Sequence, residues 1–466
     1  MRTGSEARAE RRCFGLMRAV VAAVWLCGAG GLWAASPAAG VEGFYIGTYT
    51  SSSEEAGTTS KGIYQASLDL GAGTFSPTNL AATATDPSFV AMHPNHKFLY
   101  AVSETGNYVA AYSINPTTRN LTYLNQLPTG QAPVNLVVDS AGTSLLVACY
   151  NNGNVEVLSI LANGYLGATT ASNQFSGTSQ ECHCIALDAS NNFAFVCAKG
   201  LDKIFSFQFS SSLGTLTANN PPSTAVATGA GPRHLAFDHQ YQHAYVICEL
   251  NSTLIAFNYN ASTGVLTPFQ TNNNLPAGIS AANNAGAEIA IHTSGKFVYA
   301  SNRASNSSGT NTVAVYTVNP VTGALTQVQQ APTGATPRNF ALDPTGAYCI
   351  VANEGSNSVV LYSINPATGL LTRQAQSLAV SAPVCVLPFF TQPPQPVLGA
   401  PSVVNNTLQL QVGNGCGTLS YQLFQAPALN SNPAWTLLSN GACGQTNFVL
   451  TNNLPQGYLR ALVTNY

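Results

Sequence analysis

The sequence predicts an all-β protein in which a seven-bladed β-propeller, closed by strands from both termini, is followed by a small C-terminal β-sandwich-like domain. Three observations lead to this fold. Helical periodicity is absent along the 466 residues. A unit of four short strands repeats about every fifty residues. Half-units stand at both ends of the repeat region, and joining them would complete a seventh blade.

Residues 1–36, which come before the repeats, have the features of a secretory signal peptide. The basic stretch MRTGSEARAERRCFGLMR is followed by the apolar run AVVAAVWLCGAGGLWAA and by the small residues SPAAG. This order is typical of an export signal, whereas the alternative, a membrane anchor, needs a longer apolar run. We therefore expect a secreted or periplasmic protein that has no membrane association after the signal is removed.

Residues 41–390 contain the repeat that predicts the propeller. Each unit has an apolar strand, a polar turn opened by Asp or His, a second apolar strand, and then a third and a fourth strand. The turn openers lie 46 to 54 residues apart: His93, Asp139, Asp188, Asp238, His292 and Asp343. Four short strands joined by tight turns at this period are typical of a propeller blade.

The six turn openers define six blades, and the ends of the region supply the seventh. FYIGTYT at 44–50 resembles a second strand that lacks its first, and APVCVLPF at 382–389 resembles a first strand that lacks its second. Pairing the two would close the ring and remove the exposed sheet edges. Beyond the ring, the Pro-rich stretch 391–400 indicates a linker, and the alternating pattern of 401–466 predicts a small β-rich accessory domain.

Charged residues are scarce, which excludes some classes of partner. Only 7% of the chain is Asp, Glu, Lys or Arg, and residues 1–36 hold five of the 16 basic side chains but two of the 18 acidic ones. The chain without them is acidic and has no basic patch, so we expect neither nucleic-acid nor anionic-membrane binding. Most cysteines lie in apolar strands as buried hydrophobes, and a disulfide between Cys416 and Cys443 is left open.

The few charges fall at equivalent positions of the repeat. Eleven residues after each turn opener, five of six residues are charged: Glu104, Tyr150, Lys199, Glu249, Arg303 and Glu354. Two adjacent positions on the first strands hold a further polar set: His183, Arg233, His234, Glu288, Arg338 and Asn339. Because the first strand of a blade lines the central channel, these positions predict a polar site at one channel mouth. There are two alternatives. The positions could be solvated and merely tolerate charge, or the charged residues could form structural ion pairs between blades.

Several motifs in their blade order resemble the seven-bladed lactonase family, which includes propeller-type bacterial 6-phosphogluconolactonases and the fungal carboxymuconate-lactonising enzyme. They are YIGTYT, GPRH, the Glu that ends the strand of ICEL, the NR of YASNR, and TPRNF, and the resemblance spans about residues 43–390. It implies a catalytic set that combines one His, two Arg and one Glu: His183, Arg233, Glu249 and Arg303. This chain departs from the family in having Cys248 before the Glu and cysteines on both sides of His183.

The resemblance implies hydrolysis of a sugar-type lactone to its hydroxy acid. Glu249 would take a proton from water if burial raised its pKa, and Arg233 and Arg303 would hold the carbonyl oxygen or a substrate anion. His183 would give a proton to the departing alkoxide. The sequence further suggests three substrate-binding residues: His234, Glu288 and Arg338.

No cofactor or metal is expected, and the partner is a small-molecule lactone bound by a monomer. The CHC sequence at 182–184 does not predict a zinc site, since successive residues of a strand point to opposite faces. Two other functions stay open: a lactonising cycloisomerase of the carboxymuconate type, and a non-catalytic extracellular binding propeller. Export would favour an unphosphorylated lactone over a sugar phosphate.

Overall fold

A computed structural model provides the fold of this chain. It describes residues 40–390 except residue 178, and beyond residue 390 it describes only separate strand segments. The chain divides into two compact units, one of which spans Gly40–Gln392. The predicted signal peptide and the cysteines at 416 and 443 lie outside the described residues.

Within residues 40–390 the strands form seven antiparallel sheets, which are the blades of a propeller. Blade 1 contains β1 (Val41–Thr48), β2 (Gly62–Asp69), β3 (Thr74–Phe75), β4 (Asn79–Thr83) and β29 (Pro383–Phe390). Blade 2 contains β5 (Val90–Met92), β6 (Phe98–Ser103), β7 (Tyr108–Ile114) and β8 (Leu121–Pro128). Blade 3 contains β9 (Pro133–Val138), β10 (Ser144–Cys149), β11 (Asn154–Ile160) and β12 (Leu166–Gln174).

Each of the next four blades contains four consecutive strands. Blade 4 contains β13 (Cys182–Leu187), β14 (Phe193–Ala198), β15 (Lys203–Ser210) and β16 (Thr215–Ala225). Blade 5 contains β17 (Pro232–Phe237), β18 (His243–Cys248), β19 (Thr253–Asn260) and β20 (Val265–Asn273). Blade 6 contains β21 (Asn284–Ile291), β22 (Phe297–Ala304), β23 (Thr312–Val318) and β24 (Leu325–Pro332). Blade 7 contains β25 (Pro337–Leu342), β26 (Tyr348–Asn353), β27 (Ser358–Ile364) and β28 (Leu371–Ala379).

Blade 1 is closed by strands from both ends of the propeller, as the half-units predict. Strand β1 pairs antiparallel with β29, placing Ile46 opposite Val386 and Tyr45 opposite Leu387. The rings of Tyr45 and Phe389 stack at a centroid distance of 4.7 Å. The shared sheet ties the two ends of the ring together, so the predicted seven-bladed closure is confirmed.

The polar turn openers stabilise the turn between the first and second strands. The carboxylate of Asp188 accepts hydrogen bonds from the backbone N–H groups of Asn192 and Phe193, each at 2.9 Å. A His at this position instead connects two blades, since Nε2 of His93 lies 2.9 Å from the carbonyl oxygen of Gly142. Both arrangements satisfy buried polar groups at the corners of the blades.

Apolar side chains fill the space between neighbouring blades. Phe195 of blade 4 and Phe257 of blade 5 are both fully buried in one such cluster. Short 3-10 turns at Lys199–Leu201 and Glu354–Ser356 follow the second strands of blades 4 and 7. These turns begin on Lys199 and Glu354, so they help to place two members of the charged set near the channel. A third 3-10 turn, Ala281–Asn283, precedes blade 6.

The second unit includes the chain from Pro393 onward and forms short antiparallel strands. They are β30 (Val397–Leu398), β31 (Ser402–Val404), β32 (Thr407–Gly413), β33 (Tyr421–Ala426), β34 (Thr436–Gly441), β35 (Asn447–Leu450) and β36 (Tyr458–Val463). The linker at 391–400 and the sandwich-like domain stay predictions, as do export and the monomeric state. In the described part of the chain no helix is long and apolar enough to span a membrane.

Candidate functional site

A β-bulge in the inner strand turns one residue of a blade away from the strand ladder. In β17, Pro232 lies opposite Cys248 and His234 lies opposite Ile247, so Arg233 has no partner residue on β18. The same register shift leaves His183 of β13 and Arg338 of β25 without a partner. A bulge bends its strand and re-aims the extra side chain. It therefore turns these cationic and imidazole groups toward the channel.

The bulged residues of several blades converge on one cavity of about 250 Å³, a volume that includes space open to solvent. Five of the seven residues suggested by the sequence line it: His183, Arg233, His234, Glu288 and Arg338. Glu249 and Arg303 are not among its lining residues. Glu249 contacts the lining residue Arg233, and Arg303 contacts Glu249.

Glu249 connects three blades through its carboxylate. Its Oε2 lies 2.8 Å from Nε of Arg233 and 3.1 Å from Nη2 of Arg303, and its Oε1 lies 3.2 Å from Nζ of Lys199. Lys199 also contacts Glu181, at 3.2 Å. The sequence places Glu249, Arg233 and Arg303 at one channel mouth, and the structure brings these three into direct contact.

This environment contradicts the expectation that burial raises the pKa of Glu249. Burial does oppose the charged form, but Arg303, Arg233 and Lys199 outweigh it and lower the pKa of Glu249 to about 2. A carboxylate with so low a pKa is a weak proton acceptor near neutral pH. Glu249 is therefore poorly suited to the predicted role of general base, and it is instead the counter-ion of three cations.

Both arginines beside Glu249 are already held by protein acceptors. Each has a backbone acceptor in addition to Glu249. Nη1 of Arg233 donates to the carbonyl oxygen of Ala287 at 2.6 Å, and Nη2 of Arg303 donates to the carbonyl oxygen of Gly286 at 3.4 Å. Burial and the nearby Arg303 lower the pKa of Arg233 to about 10, so its guanidinium stays charged near neutral pH. Because Arg233 alone of the pair lines the cavity, the structure separates two residues to which the sequence assigns one role.

His183 lies between aromatic rings at the wall of the cavity. Its ring meets that of Tyr150 edge-on at 5.8 Å and lies 5.1 Å from that of His234. Burial and the charge of Arg233 hold the pKa of His183 well below its usual value. The imidazole is neutral near neutral pH, so the resting site does not provide the protonated acid that the sequence suggests.

His234 and Glu288 form a buried pair between blades 5 and 6. Nδ1 of His234 lies 2.8 Å from Oε1 of Glu288, which also accepts the N–H of Ile289 at 2.9 Å. The other carboxylate oxygen accepts a hydrogen bond from the side-chain amide of Asn339 in blade 7. These contacts give three neighbouring blades one continuous polar chain at the cavity.

Arg338 lines the same cavity and contacts a tyrosine that follows β1 of blade 1. Nη2 of Arg338 donates to the hydroxyl of Tyr49 at 2.6 Å, and its guanidinium lies 5.1 Å from the centre of that ring. Nη1 lies 3.7 Å from Glu354. The Tyr49 hydroxyl donates in turn to Glu104 at 3.1 Å. Arg338 is thus held in place; burial opposes its charge, but its contacts with Tyr49, Glu354 and Glu104 outweigh burial and raise its pKa.

With this geometry established, the family of the chain follows from comparison. The family model for seven-bladed β-propeller lactonases matches residues 43–388. The chain belongs to this lactonase family. A 6-phosphogluconolactonase of Bacillus subtilis is 33% identical over 353 residues, covering 73% of this chain and 97% of the relative.

Solved structures resemble this lactonase-family chain across the propeller. A Bacteroides fragilis protein, described as a candidate 6-phosphogluconolactonase, has a TM-score of 0.68 at 28% identity, covering 77% of this chain and all of that one. A periplasmic gluconolactonase of Pseudomonas aeruginosa has a TM-score of 0.69 at 24% identity, covering 76% and 100% of the two chains. At 24% identity the likeness shows a shared fold.

Sequence reasoning did not single out two residues that contact the candidate site, Tyr49 and Lys199. Tyr49 follows the second strand of blade 1 and occupies the same position as Glu104 and Glu249, but its blade has no turn opener from which to count. Lys199 is in the charged set, yet the family motifs do not include it. Its proximity to Glu249 depends on the packing of blade 4 against blade 5, which no local pattern reports.

The cysteines around His183 pack into apolar clusters. Cys182 belongs to one buried cluster and Cys184 to another, with Cys197 and Cys248. Among the described residues, no group of three or more His, Cys, Asp and Glu side chains is placed to hold a metal ion.

Proposed function

We propose that this lactonase-family protein hydrolyses a sugar-type lactone to its hydroxy acid in the cavity at the channel mouth. One observation carries the proposal: two neutral imidazoles, His183 and His234, face the same cavity as two guanidiniums, Arg233 and Arg338. Hydrolysis of a lactone needs a group that can accept a proton from water and cations that can stabilise the oxyanion. The cavity offers both kinds of group.

Arg233 and Arg338 are the proposed oxyanion or carbonyl ligands. Each is held by protein contacts before substrate arrives: Arg233 by Glu249 and Ala287, and Arg338 by Tyr49 and Glu354. A donor fixed in advance stabilises developing negative charge without reorganising during the reaction. In this scheme Glu249 holds Arg233 in place through their ion pair, and Arg303 in turn forms an ion pair with Glu249.

The charge balance around the cavity favours an unphosphorylated lactone. Lys199, Arg303 and Arg338 are each already paired with a carboxylate, as is Arg233. A phosphate dianion would have to compete with these carboxylates and would lie near further acidic groups, Glu104 among them. We therefore propose a neutral aldonolactone in preference to its 6-phosphate, although the Bacillus subtilis relative bears the name 6-phosphogluconolactonase.

The test is an assay of the purified protein with gluconolactone, its 6-phosphate and a muconate-type lactone, each against the buffer rate. We expect hydrolysis of gluconolactone with the highest kcat/KM. Arg233→Gln should lower that kcat/KM by about 100-fold or more, since it removes an oxyanion ligand. The control is Arg373→Gln, because Arg373 lies on the outer strand β28 against Tyr362.

Three results would contradict the proposal. Rates equal to buffer on all three compounds would leave a binding propeller as the better interpretation. Turnover of the muconate-type lactone alone would favour the cycloisomerase. An equal loss of kcat/KM in Arg233→Gln and Arg373→Gln would show that the effect comes from general destabilisation.

A further inference from the structure

The strongest unassigned feature of the cavity is the hydrogen-bond chain that ends on His234. The backbone N–H of Val386 donates to Oδ1 of Asn339 at 2.8 Å, which orients the amide so that Nδ2 donates to Glu288. Glu288 is thereby fixed and accepts from Nδ1 of His234 at 2.8 Å. A carboxylate accepts the ring proton, so the proton of His234 lies on Nδ1 and the lone pair lies on Nε2.

Nε2 of His234 is buried and has no hydrogen-bond partner among the described residues. A buried polar atom without a partner is costly unless a water or ligand satisfies it. His234 lines the cavity, so the contents of the cavity are the nearest source of a group that can satisfy Nε2. Such a group reaches Nε2 only when the side chains around it move, because this atom is almost fully covered in the resting site.

A purely structural role does not account for this arrangement. Asn135 occupies the same position in blade 3 and connects its blade to the next one, since its Oδ1 accepts the N–H of Ile185 at 2.9 Å. Asn339 makes the equivalent bridge to Val386. An asparagine thus suffices to join neighbouring inner strands, whereas His234 also presents a free lone pair to the cavity.

The charge state of His234 agrees with this geometry. The titratable groups around it are Glu288 of β21, Arg233 on its own strand, His183 of β13 and Glu249 after β18. Burial and Arg233 lower the pKa of His234, and they outweigh Glu288 and Glu249, which raise it. The imidazole is therefore neutral near neutral pH and able to accept a proton.

We propose that His234 is the general base of the hydrolysis, with Glu288 and Asn339 as positioning residues. This assignment rests on the proposed function. Nε2 takes a proton from water as the water oxygen bonds to the lactone carbonyl carbon. The ring C–O bond then breaks, and the imidazolium returns the same proton to the departing alkoxide. The products are the hydroxy acid and neutral His234, so atoms and charge balance without a cofactor.

The test measures kcat, KM and their pH dependence on gluconolactone for the wild type, His234→Gln and Glu288→Gln. His234→Gln should lower kcat by about 10²- to 10⁴-fold with a much smaller change in KM, and it should remove the loss of activity at acid pH that titration of His234 causes. Glu288→Gln should move that acid limb to lower pH, because the carboxylate raises the pKa of His234.

The matched control is Asn135→Ala, which removes the same kind of bridge between blades but leaves the chain to His234 intact. It should lower stability and leave the pH profile of kcat unchanged. The assignment would be overturned if the wild type hydrolyses the lactone and His234→Gln keeps the same kcat and the same loss of activity at acid pH. It would also be overturned if the loss of activity at acid pH occurs at the same pH in Glu288→Gln as in the wild type.

A second measurement separates this assignment from the proposed function. In protein carrying ¹⁵N-labelled histidine, the NMR shifts of His234 should show a protonated Nδ1 and an unprotonated Nε2. A proton on Nε2 would overturn the assignment even if the protein hydrolyses the lactone. A wild type that hydrolyses nothing, with Nε2 unprotonated, would instead overturn the proposed function and with it the catalytic role of His234.

Discussion

Individual residues beside the cavity act through the partners they share. Glu249 is the common counter-ion of Arg233, Arg303 and Lys199, which come from three blades. Removing one member of a buried ion network leaves the others uncompensated, at a typical cost of 3–5 kcal/mol. The stability of the mouth therefore depends on Glu249 more than on any one of its cationic partners.

Glu249→Gln should lower the free energy of unfolding by about 3 kcal/mol near neutral pH, because Arg233 and Arg303 lose their counter-ion and Lys199 keeps only Glu181. The pKa of Glu249 is lowered in the folded state, so its stabilisation is present above about pH 4.5 and is lost as the pH falls toward about 2. The gap between wild type and variant should shrink over that interval in urea denaturation. A gap that does not change with pH, or an equal effect of Glu54→Gln at an exposed position, would contradict this account.

At the scale of the strand, bulges of the inner strands bring His183, Arg233 and Arg338 to the cavity. In five blades a residue with positive φ precedes the bulged residue by two positions: Ala132, Glu181, Gly231, Thr336 and Ala382. Only one of the five is glycine, so the usual sequence signal for a left-handed residue is absent. The pattern of apolar residues predicts the strands, but it does not predict the bulges.

Gly231→Ala tests the close packing before the bulge at Arg233. A Cβ at Gly231 would lie 2.5 Å from Cγ of Leu250 and 3.1 Å from Cγ of Lys199. Gly229 also has a positive φ, but a Cβ there meets nothing within 4 Å. Both alanines carry the left-handed strain of about 1–2 kcal/mol. We expect Gly231→Ala to lower the unfolding free energy by at least 1 kcal/mol more than Gly229→Ala in urea denaturation. Equal losses of unfolding free energy in the two variants would contradict the close contact between position 231 and Leu250.

For the whole molecule, closure through a shared sheet makes the ring one cooperative structure. Phe390 at the end of β29 lies opposite Glu42 at the start of β1, so the two ends of the propeller are adjacent. A two-residue turn such as Asn-Gly can join antiparallel strands at this separation. The position of the ring opening can therefore be moved to a place where no sheet is shared.

A circular permutant of residues 41–390 should show what this closure contributes. It joins residue 390 to residue 41 by Asn-Gly and opens the chain between Ala277 and Gly278, in the exposed loop between blades 5 and 6. It should fold with unchanged circular dichroism but unfold about tenfold faster than linear 41–390, a change equivalent to ~1.4 kcal/mol, because only side-chain packing closes its ring. Equal unfolding rates after urea jumps would contradict a stabilising role of the shared sheet.

The number of blades and their closure were predictable from the sequence because they depend on local patterns. Turn openers such as Asp188 bind the backbone within five residues, and strands alternate over short stretches, so the fifty-residue period and the two half-units are visible without any contact between blades. The repeat also placed Glu249 and Arg303 at one equivalent position and Arg233 at a second one on the first strands. Their close approach was therefore expected.

The tertiary structure alone decided what those groups are able to do. Glu249 has a low pKa because the packing of blades 4 and 6 against blade 5 brings Lys199 and Arg303 to its carboxylate. Nδ1 of His234 meets Glu288, which is held in place by Asn339, about a hundred residues away from His234 in sequence. Proton affinity depends on distances of a few ångströms and on burial, and both are set by contacts between blades that a periodic sequence pattern does not record.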